Sequence, residues 1–135
     1  ADTDTSGWNW EPLPEGEDCG EGCRQVTFTE GVRTIEWDVW DDKLVFCDEQ
    51  TQVWIVDIGK QKQLRMFNVH PDYPVGMGRG SLDRYPAIYE NVVVFGKSIH
   101  HSSPTRFEII YANVSEETIK VLESQEWCYV TRPLS

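Results

Sequence analysis

The run Asp2-Thr3-Asp4-Thr5-Ser6-Gly7 sets side-chain oxygens at alternate positions and then a glycine, as the first half of a calcium-binding loop does. Such a loop needs a bidentate glutamate at its twelfth position and a helix behind it. Leu13 stands at that position, and Glu11 substitutes only with altered geometry. Asp2, Asp4 and Ser6 are thus candidate calcium ligands, set against a plain acidic, solvated terminus. No other cofactor is expected. His70 and the adjacent pair His100-His101 are too few and too loosely placed for zinc, which takes three or four converging ligands. Ser98 or Ser102 beside His101 lacks the G-x-S-x-G turn that activates a serine. The glycines of Gly76-Met77-Gly78-Arg79-Gly80 precede no helix N-terminus that could hold a phosphate. No catalytic residue is assigned, and the chain is expected not to be an enzyme.

The aromatic residues offer binding chemistry instead. Of six tryptophans, Trp37 and Trp40 point to opposite faces of one strand, so one of them is exposed. Together with Tyr89 they are candidates for stacking on sugar rings. The competing reading is that they fill the space between sheets, since large aromatics are mostly buried. The four cysteines, Cys19, Cys23, Cys47 and Cys128, allow three connectivities. Cys19–Cys23 and Cys47–Cys128 are favoured over buried thiols if the compartment is oxidising. An Ala start followed by polar residues fits a mature protein whose signal peptide has been removed, and it also fits a processed fragment. A secreted, periplasmic or cell-surface location is therefore expected. Asn113-Val114-Ser115 is a glycosylation sequon, meaningful only in a host that glycosylates.

Charge narrows the partners. The net charge of −11 argues against nucleic acid, because phosphate binding needs clustered Lys and Arg. Residues 1–23 hold seven acids and no base, so the charge is concentrated in a leader. No apolar run of about 18 residues occurs, so no transmembrane helix is expected. The length suits one domain with one core.

These groups must be positioned by strands. Residues 1–23, rich in Gly, Pro and acids, form an irregular leader, with Trp8 and Trp10 spaced to pin it to the body. The body, 24–135, alternates in the manner of half-buried strands at 24–29, 34–40, 43–48, 52–58, 62–67, 84–89, 92–96, 107–112, 118–122 and 127–132. A long Pro- and Gly-containing connection spans 68–83. The one helix-like stretch, 116–125, fits a turn and a strand better.

One phrase occurs twice. VWDDKLVF at 39–46 returns as IYENVVVF at 88–95, an offset of 49. Farther on, Trp54, Ile55, Leu64 and Met66 match Ile109, Ile110, Ile119 and Val121 at an offset of 55, with the extra residues in the loop 98–105. Repeat units of about 32–69 and 83–123 result.

Arg24 to Phe28, Tyr85-Pro86-Ala87-Ile88, Asp41-Asp42, Val93 to Phe95 and Gln52 to Asp57 resemble the strands and turns of bacterial extracytoplasmic β-propeller repeats of the TolB/PD40-like class. The resemblance covers about residues 24–123. It implies an all-β fold of antiparallel four-stranded blade-like repeats, a partial β-propeller. A closed propeller takes roughly four to eight blades, and this chain holds two with flanking strands. It is then part of a larger propeller, or one of several copies that complete one, or its two units pack face to face as a β-sandwich. The implied function is a non-catalytic extracytoplasmic binding or scaffold protein that engages another protein, or itself, through its sheets. The alternatives are a carbohydrate-binding module using Trp37, Trp40 or Tyr89, and the non-catalytic propeller portion of a processed hydrolase.

Overall fold

The computed structural model describes residues 8–32, 36–49, 52–66, 81–99 and 106–126. Among them are nine β-strands and no helix: β1 (Glu11–Pro12), β2 (Trp37–Trp40), β3 (Lys43–Cys47), β4 (Val53–Asp57), β5 (Lys62–Arg65), β6 (Ser81–Tyr89), β7 (Val92–Ile99), β8 (Arg106–Asn113) and β9 (Thr118–Glu126). They form two antiparallel sheets. Sheet 1 has the order β1-β5-β4-β3-β2, and sheet 2 the order β6-β7-β8-β9.

Each sheet is built on the same sequence of turns. Asp41-Asp42 links Trp40 to its cross-strand partner Lys43, and Glu90-Asn91 links Tyr89 to Val92. Asp41 and Glu90 take the same left-handed backbone, φ +53° and +54°. At the next turn Asp57 Oδ1 accepts from Lys60 N at 3.0 Å, and Asn113 Oδ1 accepts from Glu116 N at 3.0 Å. Ile58 N donates to Asp42 O (2.8 Å), as Val114 N does to Asn91 O (2.9 Å). Gln61 and Glu117 close the turns with φ +56° and +55°. The two units therefore share both turns down to single hydrogen bonds. They match at an offset of 49 through β2–β3 and β6–β7, and of 56 from β4 and β8 onward. The hydrophobic match at 55 pairs Leu64 with Ile119, both core-facing, whereas Leu64 is the structural counterpart of Lys120. A slip of one residue exchanges the faces of a strand.

Why core-facing residues align wrongly is clear from the packing. One core cluster lies between the sheets. From sheet 1 it takes Val45, Cys47, Val53, Ile55, Leu64 and Met66, and from sheet 2 Ile88, Val93, Phe95, Ile110, Ala112 and Ile119. Directly paired residues share a face. The counterparts of Val93, Phe95 and Ala112 are Leu44, Phe46 and Val56, which lie on the opposite face of sheet 1. Phe46 and Val56 are fully buried but stand outside that cluster. The sheets thus stack face to back, each presenting the opposite side of the same unit.

Four expectations shift. Segment 24–29 is not a strand. Its residues 25–29 are half-buried, and the Gln25 side chain bonds both Thr27 O and Glu17 N, partners a ladder would otherwise supply. Within the leader, Glu11–Pro12 pairs with Gln63 and Lys62 at the edge of sheet 1. Trp8 enters the core, with Trp10 packed against it. β6 begins three residues earlier than expected and carries a bulge between Arg84 and Ala87. β9 runs on to Glu126, past its own irregularity opposite Ile109 and Ile110. The expected strand at 127–132 lies outside the described residues.

Candidate functional site: the β2–β6 seam and the open strand faces

The sheets meet along β6, which packs against β2 and β3 and more lightly against β4. Both β2 and β6 are edge strands, whose outward N–H groups have no ladder partner. Side chains of β2 supply acceptors. Asp38 Oδ2 accepts from Ile88 N at 2.9 Å, and Glu36 Oε1 accepts from Tyr85 N at 3.3 Å. Tyr85 sits in the bulge at φ +58°, next to Pro86, which lacks an N–H. The bulge turns the Tyr85 N–H out of the ladder, and the buried Glu36 receives it. Residues 36 and 38 read from sequence as polar interruptions of a strand. Their alternate spacing next to apolar 37 and 39 is the sequence signal for them.

Around this seam lie the exposed large apolar side chains: Trp37 (54 %), Val39 (47 %), Tyr85 (63 %) and Tyr89 (66 %). Trp40 is half-buried against the core and meets Tyr89 edge-on, with ring centroids 5.6 Å apart. Trp37 points the other way, on the face that carries Phe46, so Trp37, Trp40 and Tyr89 do not form one platform. Phe46 in turn stacks on Trp54 at 6.5 Å.

The outward face of sheet 2 is apolar as well. Val94, Ile109 and Tyr111 are half-buried, and Leu122 at the edge is 52 % exposed. Phe107 lies over Gly96 so closely that a Cβ there would fall 2.9 Å from its ring. The Lys120 ammonium stands 5.1 Å from the Tyr111 ring centre, a cation over an aromatic face.

The polar candidates have structural roles or lie elsewhere. Asp48 accepts from Gln52 N and Trp54 Nε1, closing the loop between β3 and β4. Lys97 and Glu108 are buried cross-strand partners. Asn113, the sequon residue, caps its turn as Asp57 does, and Ser115 Oγ donates to it at 3.1 Å. Among the described residues no group of three or more His, Cys, Asp or Glu is placed to hold a metal. Asp2, Asp4, Ser6, His70, His100, His101, Ser102 and the 76–80 glycines lie outside the described residues, as does the side chain of Ser98.

Cys19 and Cys23 form a disulfide, with Cα atoms 5.5 Å apart. Gly20 and Gly22 take φ +109° and +76°, which only glycine adopts without strain, and Asp18 Oδ1 receives Gly20 N. Cys47 is buried in the core of sheet 1, and its expected partner Cys128 is outside the described residues. No helix among the described residues is long and apolar enough to cross a membrane. A disulfide and the lack of such a helix are compatible with a location outside the cytoplasm. No family model, curated protein or solved structure matches the chain.

Proposed function

We propose that this chain is a non-catalytic binding or scaffold protein of an extracytoplasmic compartment, which engages another protein through its blade-like sheets. The observation that supports this is the face-to-back stacking. The outward face of sheet 2 carries Val94, Gly96 and Tyr111, the counterparts of Val45, Cys47 and Ile55 that are buried between the sheets. A repeat that is apolar on both sides is suited to a stack longer than two sheets, as in a propeller. The test is hydroxyl-radical footprinting of Tyr85, Tyr89 and Leu122, in the purified chain and in a native extract. Protection in the extract is expected. Labelling of these residues in the extract at the rate of the urea-unfolded chain overturns the reading.

A carbohydrate-binding reading draws on the exposure of Trp37 and Tyr89, which lie on different strand faces. It expects a sugar-dependent change in tryptophan fluorescence that Trp37→Ala abolishes, and it fails if a panel of sugars gives none.

A further inference from the structure

We infer that the exposed strand faces at the two ends of the stack are the two halves of one interface, and that their occupant is a second copy of this chain joined head to tail. This rests on the protein-binding reading above and names its partner.

Counterpart residues carry the argument. The hairpin register makes Trp37 and Val39 of β2 the counterparts of Pro86 and Ile88 of β6. Pro86 and Ile88 are buried, Ile88 within the core between the sheets, while Trp37 and Val39 are 54 % and 47 % exposed. In the other direction, Asp38 and Trp40 have Ala87 and Tyr89 as counterparts. Asp38 and Trp40 meet β6 inside the chain, through Ile88 N and the Tyr89 ring. Ala87 is exposed, and Tyr89 is 66 % exposed. Each half of the β2–β6 contact is therefore made once internally and left open once, at opposite ends of the molecule.

Repeating the internal arrangement lays β2 of one copy on β6 of the next, with Trp37 and Val39 against Ala87, Tyr89 and the neighbouring Tyr85. The rest of the outward face of sheet 1 agrees with this. Phe46 and Val56 on β3 and β4 are already covered, so the free strip is confined to β2, the strand that the internal seam uses. A contact of this kind is heterologous, and it forms a ring when its rotation closes. Roughly two to four copies would supply the four to eight sheets of a closed propeller.

Two exposed positions give the test. Asp38 bonds Ile88 N internally, so residue 87 of one copy should lie beside residue 39 of the next. Val39→Cys and Ala87→Cys chains, mixed and treated with a short bis-maleimide, are expected to give a cross-linked heterodimer, with neither variant alone exceeding the untreated-sequence background. Light scattering on the unmodified chain is expected to give a mass at least twice 15.6 kDa. Trp37→Glu and Tyr89→Glu should each reduce it to a single chain, and mixing those two variants should restore a dimer through the remaining intact pair of faces. Circular dichroism establishes that each variant is folded. A single-chain mass at every concentration, or cross-linking within the Val39→Cys sample alone, overturns the head-to-tail copy. If the pure chain is monomeric while Tyr85 and Tyr89 are still protected in a native extract, the protein-binding reading stands without it.

Discussion

Replacing Asp38 by alanine removes the acceptor that holds Ile88 N at 2.9 Å, and Ile88 is only 6 % exposed. Water has little access to the freed N–H, so its desolvation is left uncompensated, which costs about 1–3 kcal/mol. The acceptor is a carboxylate, and bonds to ionised groups are roughly twice as strong as neutral ones, so we expect a loss of about 2 kcal/mol. For a chain of 135 residues that corresponds to a fall in Tm of about 8 °C. Asp38→Asn keeps an oxygen at the same position and should cost less than about 1 kcal/mol. Urea unfolding of the three proteins, with the slope unchanged, measures both numbers. The account of the seam is refuted if Asp38→Ala falls within about 0.5 kcal/mol of the parent, the range of an ordinary surface substitution. It is also refuted if the asparagine variant is as unstable as the alanine one, because the oxygen would then not be what matters.

The shared turns predict shared mutational responses. Asp57→Ala and Asn113→Ala should each cost about 1 kcal/mol by urea unfolding, since each removes the same cap from the same turn. Asp41→Gly and Glu90→Gly relieve a left-handed backbone and should each stabilise by up to about 1 kcal/mol, seen as a higher Tm. Ile55→Ala, at 0 % exposure in the core, should cost about 2–5 kcal/mol, whereas Leu122→Ala, half in solvent, should leave the urea midpoint of the isolated chain nearly unchanged. Thiol titration of the denatured, unreduced chain should find no more than two reactive thiols, because Cys19 and Cys23 are joined.

The strands were legible because short polar turns punctuate them and because one hairpin is written twice. Asp41-Asp42 and Glu90-Asn91 sit at corresponding places in the sequence and in the two sheets. What failed was the assumption that equivalent residues share an environment. Leu44 and Val93 occupy the same hairpin position, yet Val93 is in the core between the sheets and Leu44 faces away from it. Matching hydrophobic types therefore led to 55 where hydrogen bonds give 56. Pro86 is tolerated because β6 lies at the sheet edge, and the bulge that accommodates it leaves no local sequence signal beyond the proline itself. The seam was illegible for a different reason. Glu36 and Asp38 look like solvent-facing acids until the second sheet is placed, and only then do their acceptors find the edge donors of β6. The opposite directions of Trp37 and Trp40 were legible from their spacing, but the edge-on contact of Trp40 with Tyr89 was not, because it forms only across the two sheets.

Those two carboxylates bear on colloidal behaviour. An unsatisfied strand margin is a template for runaway growth into fibres, and β6 has Ile88 N and Tyr85 N already engaged by acids that an incoming strand would have to displace. At the far margin of sheet 1, β1 is two residues long and ends in Pro12, so it too is a poor seed. Among the described residues the nine-residue β9 is guarded differently, by its irregularity opposite Ile109 and Ile110 and by the charge of Lys120, so Lys120→Val ought to hasten the onset of heat- or shear-induced fibrils.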